Sequence, residues 1–356
     1  MNHIEVQSLL TPYGYDESYW VIDGKSLPEY LNMWCGELQD GYLGTIKSFL
    51  GLCPAWSKEL NWQGDIRFVW NLIDMDSTIL PLLVCEDDLD FSCIVIVVET
   101  EKTKDFVYWN RVGYVRHENE DFEEEKKSGI LNLESYSDED WVKYGDNIAL
   151  EEVGSDKWEA WISKNWDEEL YRRRMNYTLA YYQSEGNIGW LKDTNWVFDR
   201  YEYDCMVKDF FELETIRKLQ NLSTDLVLDI KDCTELLADL TLNGKEVLEN
   251  HLNDYSEILL HLLAGELVTE PLIDLLENHM EKKQTIYLYC LVIEIMWKNG
   301  DEAVKNVVDV TVLERISDDE KVWKSFGRFI SDEFKTYINA EVLRWNLMMG
   351  CVNPLL

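Results

Sequence analysis

SCIVIVVET (92–100) and DFVYWNRVGYV (105–115) are the two stretches of sequence that decide the fold of the first half of the chain. Both are rich in β-branched and aromatic residues, which favour strands. Only EKTK (101–104) separates them, and a loop of this length is typical of a hairpin, so we predict an antiparallel pair. Aromatic residues fall on both faces of the second run, which predicts a sheet covered at least partly on both sides.

Two further apolar runs precede this hairpin. IRFVWNLI (66–73) and TILPLLVC (78–85) have a similar composition, and we predict that both are strands. Before them, Ser26 and Glu29 have the spacing of a capping box, with Pro28 suited to the first turn of a helix. Residues 1–205 are therefore predicted to form an α+β domain, mainly an antiparallel sheet with helices.

From about residue 206 the apolar residues change to helical spacing. The clearest series is Leu226, Ile230, Cys233, Leu237 and Leu240. Three glycines are predicted to end helices: Gly244, Gly265 and Gly300. A second capping box, from Ser317 to Glu320, is predicted to begin one. Residues 206–356 are thus predicted to be all-helical, as a bundle or a short solenoid, and no fixed-period repeat chooses between these two.

The net charge is the strongest compositional signal in this chain of 356 residues. Asp and Glu number 69 against 33 Lys and Arg, which gives a formal net charge of −36. A field of this sign repels nucleic acids and anionic membranes and attracts basic proteins. We therefore predict a basic protein partner, and neither a nucleic-acid nor a membrane partner. The alternative is that the charge serves only solubility.

The cysteines and the N-terminal residues bear on the cellular compartment. None of the eight cysteines forms a C-x-x-C pair, and several, such as Cys93 and Cys290, lie in apolar runs. They are predicted to be buried, reduced thiols of a cytoplasmic protein. MNHIEVQSLL (1–10) lacks the features of a signal peptide. The longest apolar run, 286–297, is too short to span a bilayer and contains Glu294.

The sequence contains no recognisable catalytic or cofactor-binding motif, so we predict a protein that is not an enzyme, with no cofactor and no metal site. One catalytic alternative remains, a metal-dependent nuclease-like site. Its carboxylates would come from the ends of adjacent strands, namely Asp74 or Asp76 and then Glu99 and Glu101, beside Lys102. The spacing differs from that of such nucleases, and a solvated hairpin tip explains the same residues.

Acidic runs interleaved with aromatic residues are the predicted partner-binding surface. Carboxylates would steer a cationic partner, and aromatic side chains would anchor it. The predicted residues are Glu86, Asp87, Asp88, Asp90, Glu118, Glu120, Asp121, Phe122, Glu123, Glu124, Glu125, Tyr136, Asp138 and Trp141. The alternative interpretation of any single run is a solvated face.

Long segments of the chain resemble a group of uncharacterised, Firmicutes-type bacterial proteins. LPLLVCEDDLDFSCIVIVVETEKTKDFVYWNRVGYV (80–115) is one such segment. MWKNGDEAVKNVVDVTVLERISDDEKVWKSFGRFISDEFKTYIN (296–339) resembles a helical domain of unknown function. That domain recurs in proteins similar to the immunity partners of bacterial polymorphic toxins. The resemblance implies a protein that neutralises a basic toxin domain by direct binding, with a scaffold or regulatory interaction protein as the alternative.

Overall fold

The computed structural model describes residues 1–35, 49–61, 63–91, 93–116, 178–184, 186–223, 226–348 and 353–355. The chain divides into two compact units, Met1–Val207 and Lys208–Leu356. The first contains antiparallel sheets and the second is helical, which confirms the α+β fold class. Among the described residues of the second unit, β-pairing is limited to an isolated bridge between Leu228 and Gly300. No helix among these residues is long and apolar enough to cross a membrane.

The first unit contains two antiparallel sheets. Three strands form the first sheet: β1 (Ile4–Leu10), β2 (Asp16–Ile22) and β3 (Lys25–Ser26). Five strands form the second sheet in chain order: β4 (Cys53–Pro54), β5 (Ser77–Val84), β6 (Val95–Lys102), β7 (Phe106–Val115) and β8 (Ile188–Asp199). The predicted hairpin is the β6–β7 pair, in which Val98 faces Val112. Among the described residues, the helices of the first unit include α1 (Leu27–Cys35), α2 (Gln63–Asp74) and the first residues of α3 (Arg200–Gln220).

The prediction of a strand at 66–73 is wrong, because these residues lie in α2. Phe68, Val69, Leu72 and Ile73 are buried, and their spacing matches one face of a helix rather than the alternation of a strand. Composition alone does not distinguish a short apolar helix from a strand. Here the residues form a helix, because that conformation buries one apolar face. Asp74 therefore ends a helix and not a strand.

Consecutive burial in β6 and a cluster of tryptophans show where the core of the first unit lies. Val95, Ile96, Val97 and Val98 are all buried, as expected for a strand covered on both faces. Trp109 of β7 has no exposed surface and lies among other aromatic rings. Its ring contacts are Trp20, Trp196, Phe198 and Tyr203.

The two predicted capping boxes have different outcomes. At α1 half of the box forms, since the Ser26 N–H donates to Glu29 Oε2 at 2.7 Å as predicted, while the Ser26 hydroxyl donates to the same oxygen at 2.8 Å rather than accepting from the first turn. At the second box the cap is Asp319, whose carboxylate accepts from the Lys321 and Val322 N–H groups. The Ser317 hydroxyl instead donates to the Glu314 carbonyl. An aspartate two residues closer to the helix therefore takes the role predicted for serine.

The second unit is built from consecutive helices with short breaks. After the last residues of α3, its helices are α4 (Ile230–Ala238), α5 (Gly244–Tyr255), α6 (Leu260–Ala264), α7 (Glu270–Asn278), α8 (Lys283–Asn299), α9 (Glu302–Val307), α10 (Glu314–Ser317), α11 (Glu320–Phe326) and α12 (Asp332–Met348). Two π-helical segments, Gly265–Thr269 and Val308–Leu313, continue α6 and α9 without a break. Of the three predicted stops, Gly300 ends α8, Gly244 begins α5, and Gly265 lies where a helix widens.

Glu212 of α3 provides a test of buried charge in the second unit. It is buried, accepts from the Thr285 hydroxyl at 2.9 and 3.1 Å, and has a pKa raised by burial. A carboxyl whose folded pKa is raised stabilises the fold below its unfolded pKa and loses that contribution as pH rises through the folded value. We therefore expect Glu212→Gln, which keeps an acceptor for Thr285, to be more stable than the wild type at pH 7.

The gain should shrink as pH falls towards about 4, near the ordinary pKa of glutamate. Urea unfolding followed by circular dichroism at several pH values measures this dependence. Glu257→Gln removes one charge from an exposed site of the same unit and is the matched control. An equal effect in both variants, or a gain independent of pH, would contradict the assignment.

Candidate functional site

The connection between β5 and β6 carries four of the predicted partner-binding residues: Glu86, Asp87, Asp88 and Asp90. Val84 and Val95 are the last paired residues of the two strands. The Cys85 N–H donates to the Ile94 carbonyl at 3.1 Å, which extends the pairing by one more step. The acidic residues are therefore presented on a loop whose two ends are joined to the second sheet of the first unit.

Backbone hydrogen bonds set the shape of this loop. The Leu89 N–H donates to the Cys85 carbonyl at 3.0 Å, and Leu89 has a left-handed φ of 49°. Asn61 holds the loop from outside, because its N–H donates to the Leu89 carbonyl at 3.0 Å and its side-chain amide donates to the Asp88 carbonyl. A non-glycine residue at positive φ is held there by its surroundings, so the loop has a defined conformation.

Three carboxylates of the loop, Glu86, Asp87 and Asp88, form no ion pair with any residue that the structure describes. Asp87 is exposed, and Glu86, Asp88 and Asp90 are half-buried. Burial, with a smaller contribution from Asp87, raises the pKa of Glu86. Within the described part of the chain, an approaching cation would therefore meet three carboxylates that no ion pair neutralises.

Two thiols and one carboxylate meet inside the same loop. The ligand atoms of Cys85, Asp88 and Cys93 all lie within 4.8 Å of one another, and all three side chains are half-buried. Burial raises the pKa of the Cys85 thiol to about 11, and the backbone N–H groups of Asp87 and Asp88 offset part of this rise. Among the described residues this is the one group of three such side chains. The sequence motifs predict no metal site and do not single out this group.

The remaining predicted partner-binding residues lie outside the residues that the structure describes. They are Glu118, Glu120, Asp121, Phe122, Glu123, Glu124, Glu125, Tyr136, Asp138 and Trp141. They stay predictions from the sequence.

Two residues of the alternative nuclease-like site, Glu99 and Lys102, have other contacts. Glu99 forms a bidentate ion pair with Arg111, with the two contacts at 2.5 and 2.8 Å, and the Arg111 guanidinium lies 4.1 Å from the centre of the Trp190 ring. Lys102 donates to the Ile73 carbonyl, and burial lowers its pKa. Glu99 and Lys102 thus stabilise the sheet and its contact with α2, which explains their presence without catalysis.

A groove in the second unit is a further feature that sequence reasoning did not find. The two π-helical segments contact each other and border a groove of about 680 Å³. Within it, His261 Nδ1 lies 2.6 Å from the Thr311 hydroxyl, and the exposed apolar residues Leu262 and Val310 contribute to its lining. Single turns of π-helix are rare and often occur at functional sites. Neither segment has a local sequence signal that would distinguish it from an α-helix.

The comparison with known families locates this groove within a recognised domain. Residues 233–346 match a domain of unknown function, DUF7674. This match confirms the expected C-terminal domain of unknown function. The matched residues include both π-helical segments. No curated protein and no solved structure shows significant similarity to the chain.

Proposed function

We propose that this protein binds a cationic protein through the acidic surface of its first unit. The observation that carries the proposal is the β5–β6 loop, where Glu86, Asp87 and Asp88 stand together without an ion pair in the described part of the chain. The loop has a defined shape, and the whole chain carries a net charge of −36. Charges of one sign attract an oppositely charged surface. Because the loop already has a defined conformation, binding would cost it little conformational entropy.

The acidic and aromatic residues predicted at 118–141 would extend this surface. Exposed carboxylates accelerate the encounter, by roughly 10–10³-fold when a charged patch is well focused. Aromatic side chains such as Phe122, Tyr136 and Trp141 would supply most of the affinity once buried at the interface. Charge would therefore determine association, and the aromatic anchors would determine dissociation.

The finer proposal is that the partner is a toxin domain and that this protein is its cytoplasmic immunity protein. Its support is the resemblance of 296–339 to a domain that recurs in proteins similar to immunity partners. A basic toxin domain, such as a nuclease, would be inhibited if the acidic surface covered its substrate-binding face. The partner's own toxicity separates this proposal from a scaffold or regulatory role, because only a toxin should harm cells that lack this protein.

The test begins with recovery of the partner from the native host, using the full chain as bait. Association and dissociation rates are then measured at two salt concentrations. The variant Glu86→Gln/Asp87→Asn is compared with Asp254→Asn/Glu257→Gln, which removes the same charge from exposed positions in the second unit. We expect slower association and a weaker salt dependence in the first variant alone, with dissociation nearly unchanged.

Exposed charge pairs contribute only about 0.2–1 kcal/mol each, so the equilibrium affinity should fall modestly. Equal slowing in both variants would mean that only the total charge matters. An association rate indifferent to salt would contradict the proposal altogether. Growth of a host that expresses the partner, with and without this protein, then decides whether the partner is a toxin.

A further inference from the structure

We propose that Cys85, Cys93 and Asp88 bind one thiophilic divalent cation, of which Zn²⁺ fits the donor set best. The three ligand atoms already lie within 4.8 Å of one another. In a tetrahedral zinc site, with Zn–S bonds of about 2.3 Å and Zn–O bonds of about 2.0–2.2 Å, these atoms would be about 3.5–3.8 Å apart. A contraction of each distance by about 1.3 Å at most therefore completes the site.

The chemistry of the donors selects the class of cation. Two sulfurs favour Zn²⁺ and other soft or borderline ions over Ca²⁺ and Mg²⁺, which prefer oxygen ligands. Three protein ligands leave a fourth position for water or for a group supplied by another molecule. All three side chains are half-buried, so solvent reaches part of each residue.

The surroundings of Cys85 resemble the support that metal-bound thiolates require. The backbone N–H groups of Asp87 and Asp88 lie beside its sulfur, and N–H groups in such positions stabilise negative charge on a thiolate. Cys85 directly follows the buried end of β5, and Cys93 stands two residues before β6. Ligands close to paired strands, in a loop held by Asn61, are largely ordered before the ion arrives.

Binding has a defined proton balance. Each thiol transfers its proton to the solvent as its sulfur becomes a ligand, while the carboxylate of Asp88 enters without losing one. The metal and the protons therefore compete for the same two sulfurs.

Titration of the reduced full-length protein with Co²⁺, which reports sulfur ligation by absorption, tests the site. We expect one equivalent to produce sulfur-to-cobalt charge-transfer bands and the visible bands of a tetrahedral complex, both abolished by Zn²⁺. Cys85→Ser and Cys93→Ser should each lose the charge-transfer bands or halve them and weaken binding. Asp88→Asn should weaken binding by about tenfold or more.

Two variants serve as matched controls. Asp87→Asn changes the neighbouring exposed carboxylate but keeps the backbone N–H of that residue, and Cys205→Ser removes an exposed cysteine from α3. Both should bind Co²⁺ as the wild type does. Circular dichroism tests whether every variant folds. If a serine variant fails to fold, Asp88→Asn still tests the site, because it retains both thiols.

Several outcomes would overturn this site. They are the absence of charge-transfer bands at one equivalent, their full retention in either serine variant, and equal weakening by Asp87→Asn and Asp88→Asn. Recovery of the protein with a Cys85–Cys93 disulfide, followed by no Co²⁺ binding after reduction, would also overturn it. The experiment measures light absorption by the Co²⁺ complex and not partner binding. The metal-site proposal and the proposed function can therefore fail independently of each other.

Discussion

Replacing Trp109 by Ala is expected to lower the free energy of unfolding of the first unit by about 3–5 kcal/mol. Trp109 is 0 % exposed, and its ring centre lies 5.5 Å from that of Phe198 and 6.2 Å from that of Trp196. Removing the indole leaves a cavity among large, rigid rings that can close only partly. The cost therefore includes both the lost burial of the side chain and the cavity that remains.

Urea unfolding followed by circular dichroism measures this loss, with the two units analysed as separate transitions where they separate. Tyr201→Ala is the control, because Tyr201 is 76 % exposed and its removal should change stability by about 0.5 kcal/mol at most. A loss below about 1 kcal/mol for Trp109→Ala would contradict the central role of this ring in the core.

Replacing Trp323 by Ala is expected to destabilise the second unit by a similar amount, about 3–5 kcal/mol. Trp323 of α11 is buried, and its indole N–H donates to the Asn353 carbonyl at 2.7 Å. The next contacts of this C-terminal segment involve Asn339, whose side chain forms two hydrogen bonds with the Leu355 backbone at 2.6 and 2.8 Å. Loss of the indole thus creates a cavity and also removes one attachment of the segment.

Trp323→Phe separates the two contributions. It keeps most of the buried ring but cannot donate to Asn353, so its cost from the hydrogen bond should be about 0.5–1.5 kcal/mol, plus a smaller cavity term. Thermal and urea unfolding of both variants measure the difference. If the Phe variant were as unstable as the Ala variant, the hydrogen bond and not the packing would dominate at this position.

Patterns that act over a few residues were sufficient for several features. The hairpin at 92–115 follows from strand-forming residues on both sides of a short loop, and the Ser26–Glu29 box follows from a contact within one helical turn. The helical nature of the second unit follows from its apolar periodicity. These interactions are local, so the sequence alone carries the information that determines them.

Other local patterns were ambiguous, and packing decided them. By composition alone, residues 66–73 could form a buried strand or the apolar face of a helix. In the structure they lie in α2, and the second sheet is formed by five other segments. Ser317 and Asp319 could both cap α11, and the exact start of the helix selected Asp319. Gly265 could end a helix, yet the chain continues there as a π-helical segment that contacts a second one.

The candidate site shows the same division. The sequence by itself determined that residues 86–90 form an acidic loop and that two cysteines, Cys85 and Cys93, flank it. Only the tertiary structure brought the two sulfurs together with Asp88, because their distance depends on the pairing of β5 with β6 and on the turn that Asn61 holds. Residue types and spacing specify which chemistry is available, whereas long-range pairing specifies which atoms meet.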